Sequence, residues 1–321
     1  VMITAHAHPC LKEGLEHRGY QVDTLEIISH QELEELIPAY EGLVVASRIP
    51  IDKAILLAAQ SLKWIGRLGS GMEIIDLDQA SAQHVVCMSS PDGNCASVGE
   101  HCLGMLLSLL HNISSSRDEL REGKWLREAN RGFELGGKTV GIIGLGHTGS
   151  AFAHLLSPFG VRVLAYDKYK TGFSGGHIVE STLEAVQESA DVISFHLPLN
   201  EETQHYANEQ FFSSLKKRPY FLNASRGGVV DTAALINALD QGLVAAAGLD
   251  VLENEDLASY SAQESDMLQQ LLMRRNVIVT PHIAWYSQSA GPRLFQWGFE
   301  DAYNLITSGK INNGNFAVGP F

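Results

Sequence analysis

Three late stretches of this sequence carry groups that can do chemistry: NASRGGVVD with Arg226, GLDVLENED with Asp250 and Glu255, and TPHIA with His282. A guanidinium offers a rigid fork that matches a carboxylate in two hydrogen bonds. An imidazole, ordinarily near pKa ~6.5, takes up and returns a proton around neutral pH. Each stretch follows an apolar run, and open α/β sheets bind their ligands beyond the carboxyl ends of the strands. Other readings stay open. Arg226 can form an ion pair between lobes, and Glu255 sits in an acidic stretch with Glu253 and Asp256, where a carboxylate can simply be solvated.

A fourth stretch, VGIIGLGHTGSAF, spaces Gly144, Gly146 and Gly149 as GxGxxG directly after an apolar strand and before a helical run. In that context the first glycine permits a tight turn, the second admits a pyrophosphate, and the third lets helix and strand pack closely, with the helix N-terminus facing the anion. The next apolar run ends at Asp167, about 20 residues beyond the glycines, where a carboxylate accepts hydrogen bonds from an adenosine ribose. A carboxylate there repels a 2′-phosphate, which favours NAD over NADP, although Lys168 and Lys170 soften the preference. The fingerprint identifies a cofactor and leaves the reaction open.

Positioning these groups requires a repeated strand and helix rhythm. MITA, QVDTL, GLVVAS, LKWIG and HVVCM mark the strands of a first lobe over residues 1–90. Val98, Cys102, Met105, Leu106, Leu109, Leu110 and Ile113 recur at helical spacing, which predicts one long connecting helix from Ser97 to about Arg117. KTVGIIG, VRVLAYD, ADVISFH, YFLNAS, VAAAGLDV and NVIVTPH supply six strands of a second lobe, assigned to residues 91–288. Residues 289–321, with a helical stretch from Leu294 to Thr307, are expected to return to the first lobe. Strands alternating with helices imply α/β architecture with two doubly wound parallel sheets and a cleft between them.

Composition narrows the partners. The 321 residues are 45% apolar and 19% charged, an ordinary globular balance. A net charge of −14 without basic blocks repels polyanions and argues against nucleic acid. No apolar run nears the roughly 20 residues needed to span a bilayer, and the first residues carry no targeting pattern, so a cytosolic protein is expected. Cys10, Cys87, Cys95 and Cys102 lack CxxC spacing, so reduced thiols are expected rather than disulfides or a metal site.

Taken together, GRLGSGMEIIDL, SSPDGNCASVGEH, GGKTVGIIGLGHTG, HLPLNEET, NASRGGVVD, GLDVLENE and TPHIA resemble the D-isomer-specific 2-hydroxyacid dehydrogenase family over nearly the whole chain. The resemblance implies a Rossmann-type NAD domain, a flavodoxin-like substrate domain and a homodimer joined through the cofactor domain. It implies that Arg226 binds the substrate carboxylate, that His282 is the acid/base and that Glu255 partners it; the spacing from Asp250 favours Glu255 over Glu253. It further implies that His147 and Thr148 lie beside the pyrophosphate, and His196, Pro198 and Thr203 on the adenosine side. Ala224 and Asp250 are implied on the nicotinamide side, Ser225 and Ala284 among the cofactor-binding residues, and Ser70 and Gly71 at the substrate carboxylate.

The chain departs from the family pattern at Met72 to Asp76, at Asp256, where a proline is common, and at Trp285 and Tyr286, where two small residues are usual. Packing is the favoured role for those two aromatics. GLVVASRIPI resembles the phosphoglycerate dehydrogenase branch, in which a Ser-Arg pair, here Ser47 and Arg48, recognises a phosphate. With Arg67 as a second cation, this points to D-3-phosphoglycerate and to serine biosynthesis, and the end at Phe321 to the lack of a regulatory domain. Glycerate, hydroxypyruvate and lactate dehydrogenases, and NAD-sensing corepressors of the same fold, are the alternatives.

Overall fold

The computed structural model describes residues 1–69, 71–290 and 292–293. The chain divides into two compact units within the helix Pro91–Leu110: Val1–Cys95, with which the described residues from Tyr286 on are grouped, and Ala96–Trp285. The tail helix expected at 294–307 and Ser70 lie outside the described residues.

The first unit holds β1 (Met2–Ile3), β2 (Asp23–Thr24), β3 (Gly42–Val45), β4 (Trp64–Arg67) and β5 (Val86–Ser89). All pair in parallel in the order β2-β1-β3-β4-β5, the flavodoxin-like arrangement. Apolar side chains fill both faces: Leu33, Ile37, Leu43, Val45, Ile55 and Ile65 on one, Ile3, Leu11, Leu15, Val44 and Trp64 on the other. That is why β3 reads as an unbroken apolar run rather than an alternating one.

The second unit holds β6 (Thr139–Ile143), β7 (Arg162–Tyr166), β8 (Ile178–Glu180), β9 (Val192–Phe195), β10 (Tyr220–Asn223), β11 (Ala246–Leu249) and β12 (Val277–Val279). Their order is β12-β11-β10-β9-β6-β7-β8, all parallel. The strand order reverses between β6 and β9, with the chain running outward to β7 and β8 on one side and to β10, β11 and β12 on the other, so the switch point that binds ligands in such sheets lies just beyond Ile143 and Phe195.

Two details differ from the sequence reading. The sheet gains β8, a three-residue strand with glycines at 172, 175 and 176 before it, too short and too glycine-flanked to show a period. The connecting helix is two helices, Pro91–Leu110 and Ile113–Arg121, because Asn112 adopts a left-handed conformation at φ +53°. Asparagine tolerates that region where most side chains do not. Trp285 packs with the second unit's core, beside a cluster containing Leu106, Ile142 and Phe152, whereas Tyr286 is exposed.

Candidate active site

The glycine turn after β6 is built for close approach. Gly144 has φ +91°, and a Cβ there would lie 2.4 Å from the His196 carbonyl oxygen. A Cβ on Gly149 would lie 2.1 Å from the Gly144 oxygen. Those two glycines are therefore required by the fold itself. Gly146 is different: it precedes the helix His147–Leu155, and a Cβ on it would meet no protein atom within 4 Å. No contact of the chain demands glycine there, which fits a ligand's phosphates lying against the backbone at a helix N-terminus.

Asp167 follows β7 and is held by three backbone donors. Its Oδ2 accepts from Leu145 N at 2.8 Å, and its Oδ1 from Tyr169 N at 3.0 Å and Lys170 N at 3.1 Å. The carboxylate is thereby fixed beside the glycine turn. Lys168 is drawn to Glu202 at 2.7 Å and Lys170 to the Leu145 carbonyl at 3.3 Å, so each lysine has a partner apart from Asp167.

His196, expected to line the adenosine side, is buried under the turn. Its Nε2 lies 2.9 Å from Ser194 Oγ and its Nδ1 3.2 Å from Thr148 Oγ1, with the ring against Phe152. Burial pushes its pKa down to about 3, so the ring is neutral and braces the start of the helix. Thr203 donates to the Pro198 carbonyl at 2.6 Å and closes the loop after β9.

The segment after β12 folds onto Asp250, which stands at the end of β11. This carboxylate is 1% exposed. It accepts from Thr280 Oγ1 at 2.6 Å, Ile283 N at 2.9 Å and Ala284 N at 2.8 Å. His101 Nε2 stands 2.9 Å from Thr280 Oγ1. Because the threonine hydroxyl donates to Asp250, its oxygen accepts from His101, which defines the direction of the chain. Around this anchor the TPHIA turn bends so that His282, at φ +53°, points its ring to Glu255: Nδ1 to Oε2 is 2.8 Å. Beside Asp250, Cys102 is fully buried, and burial pushes its thiol up to about 12.

Glu253, Asn254 and Glu255 go three ways. Glu253 meets His205 Nε2 at 2.6 Å and Thr232 N at 2.8 Å. Asn254 donates to Glu264 at 3.0 Å and to Ser259 Oγ at 3.1 Å. Glu255 alone of the three reaches His282. The loop after β10 is shaped by Asn223, whose Oδ1 accepts from Ser225 N and Oγ and whose Nδ2 donates to the Arg226 carbonyl. Arg226 is half-buried, with Nη1 donating to the Ser225 carbonyl at 2.7 Å. A Cβ on Gly227 would lie 1.8 Å from the Leu252 oxygen, so the Arg226 loop and the loop carrying Glu255 touch backbone to backbone. Ala224 packs on the core and Ala284 is buried.

In the first unit, Arg48 is exposed but anchored: Nη1 donates to the Ile28 carbonyl at 2.7 Å, and Nη2 to those of Glu26 at 3.0 Å and Thr4 at 3.4 Å. Among the described residues these bonds engage at most three of its five N–H groups. Arg67 lies over Gly69, where a Cβ would collide with Nη1 at 1.4 Å, and donates to the Leu68 carbonyl. Gly71 is half-buried in the loop that follows.

Sequence reasoning missed His101, the Thr280 hydroxyl, Glu253 with His205, and Asn254. Their partners lie on other elements, and no local spacing signals such pairs. Among the described residues, no group of three or more His, Cys, Asp or Glu side chains could hold a metal, and no helix is long and apolar enough to cross a membrane.

The family described as D-isomer specific 2-hydroxyacid dehydrogenase, NAD binding domain, matches residues 103–284. A D-3-phosphoglycerate dehydrogenase of Archaeoglobus fulgidus is 34% identical over 96% of this chain and 58% of its own length. One from Bacillus subtilis is 35% identical over 84% of this chain and 50% of its own. The chain thus spans little more than half the length of these relatives. A D-lactate dehydrogenase from Aquifex aeolicus, solved with NAD and lactic acid, superposes with a TM-score of 0.84 at 27% identity, covering 100% of this chain and 99% of that one.

Proposed function

Since the chain belongs to the D-isomer-specific 2-hydroxyacid dehydrogenase family and carries its NAD-binding domain, we propose that it interconverts a D-2-hydroxy acid and its 2-keto acid, with D-3-phosphoglycerate as the preferred substrate. The hydride chemistry belongs to the nicotinamide. The chain's own residues bind, orient and move a proton.

The observation that carries the reading is the His282 to Glu255 contact of 2.8 Å on a loop packed against that of Arg226. Glu255 accepts from Nδ1–H, which leaves Nε2 as the atom that takes the C2 hydroxyl proton during oxidation and returns it during reduction. Arg226 grips the substrate carboxylate through its fork, which fixes C2 in one orientation and selects one stereoisomer. Asp250 acts as the anchor of the TPHIA turn.

The preference for a phosphorylated substrate is supported by the names of the relatives and by Arg48, whose anchored guanidinium retains unengaged N–H donors. Serine biosynthesis is then its setting and the cytosol its compartment. A homodimer through the second unit is supported by the exposed Ile113, Leu120, Trp125 and Phe133, apolar surface of the kind that interfaces cover. The test is steady-state turnover with NADH against 3-phosphohydroxypyruvate, hydroxypyruvate and pyruvate. The expected order places the phosphorylated acid first. Tight NADH binding without turnover of any of the three overturns the reading.

A further inference from the structure

Glu253 touches neither Asp250 nor His282 in the geometry above, yet its carboxylate spans the segment that presents Arg226. Residues 226–231 run between two supports. On one side, His205 N donates to the Gly228 carbonyl at 2.8 Å, Ala207 N to Val229 at 3.0 Å, and Asp231 N returns to Ala207 at 3.1 Å. On the other, Gly227 is pressed against the backbone of Leu252 and Glu253. The Glu253 carboxylate joins the two supports: Oε1 accepts from Thr232 N at 2.8 Å, where the segment enters its helix, and Oε2 takes His205 Nε2 at 2.6 Å. His205 holds a left-handed φ of +48°, a conformation that persists only where surrounding contacts impose it.

We infer that Glu253 is a positioning residue for Arg226, holding the guanidinium in register with the loop that carries Glu255. The inference rests on the reading of Arg226 as the ligand of the substrate carboxylate. A global stabilising role is disfavoured by magnitude. The Glu253 and His205 side chains are 32% and 42% exposed, and ion pairs at such sites contribute little to stability. A displacement of Arg226 by a fraction of an ångström, by contrast, acts directly on substrate binding.

The test is a double-variant cycle with hydroxypyruvate and NADH on the full chain. Glu253→Ala is expected to raise the KM for hydroxypyruvate about tenfold, the worth of one charge-assisted hydrogen bond from Arg226 to the substrate carboxylate. The kcat should stay within about threefold, and the NADH Kd and Tm near native. Glu253→Gln keeps an acceptor for Thr232 N and should recover most of the KM. In an Arg226→Ala background, Glu253→Ala should lower kcat/KM no further. Fully multiplicative losses, or an unchanged KM in Glu253→Ala, overturn the inference while the reading of Arg226 stands. An unchanged kcat/KM in Arg226→Ala alone overturns that reading instead.

Discussion

His282 Nδ1 lies 2.8 Å from Glu255 Oε2, and the histidine backbone reaches this contact only by adopting φ +53°. The ring is therefore held at both ends of its attachment: by Glu255 at Nδ1, and by a turn that Asp250 ties through Thr280, Ile283 and Ala284. On the proposed acid/base role of His282, only Nε2 is left to exchange a proton with substrate. His282→Ala is expected to lower kcat by about 10²–10⁴-fold, the usual worth of a general acid/base. NADH binding should persist, since the glycine turn is made by other residues. Glu255→Gln keeps an oxygen for Nδ1–H and loses the charge, so its kcat should fall by less. Near-normal turnover of His282→Ala removes the assignment.

The glycines of the turn separate fold from ligand. Gly149→Ala drives a methyl group to 2.1 Å from the Gly144 oxygen, which only backbone movement can relieve, and overpacking of this kind costs about 1–3 kcal/mol or more. Its Tm should drop. Gly146→Ala adds a methyl group that meets nothing within 4 Å at an ordinary φ of −80°, so its Tm should stay near native while its NADH Kd, read by fluorescence titration, rises. An unchanged Kd in Gly146→Ala shows that no ligand approaches there.

Much of this was legible because local chemistry and global position coincide. Gly144, Gly146 and Gly149 announce themselves by spacing, and His282 by following an apolar strand and a proline. Both sheets read as apolar runs because their helices cover both faces. What stayed hidden depends on contacts between distant residues. His196 looks like a loop histidine beside HLPLNEET, and only the packing of Phe152, Thr148 and Ser194 makes it a buried brace. Glu253 and Glu255 are nearly equivalent in an acidic stretch, and the difference lies in which neighbouring loop each side chain meets.

Arg48 joins two roles that one variant can separate. Its three carbonyl partners, on Thr4, Glu26 and Ile28, lie in the segments after β1 and β2, so Arg48→Ala leaves polar groups without their donor and should lower the Tm modestly. If its remaining donors also meet the substrate phosphate, the KM for D-3-phosphoglycerate should rise much more than that for D-glycerate. Equal rises in the two KM values reduce Arg48 to a loop clamp.

Glu264 ties the stability of the Glu255 loop to acid. It accepts from Ser261 Oγ at 2.6 Å and Ser261 N at 2.7 Å in a capping box, and from Asn254 Nδ2 at 3.0 Å. The Ser261 hydroxyl, then Asn254, then the Ser261 amide pull its pKa from the ordinary 4.5 down to about 2. The folded value is the lower one, so the folded chain binds this proton less readily than the unfolded chain. The stabilisation is complete above the unfolded value of 4.5 and fades as the pH falls toward 2. Glu264→Gln removes the charge and keeps an acceptor. The Tm difference between the native chain and this variant should be largest at pH 7, shrink below about pH 4.5 and vanish near pH 2. The carboxylate is partly open to solvent, so added salt should shrink the difference as well. Calorimetry across that range is the measurement, and a difference that stays constant down to pH 3 assigns the contribution to packing rather than to charge.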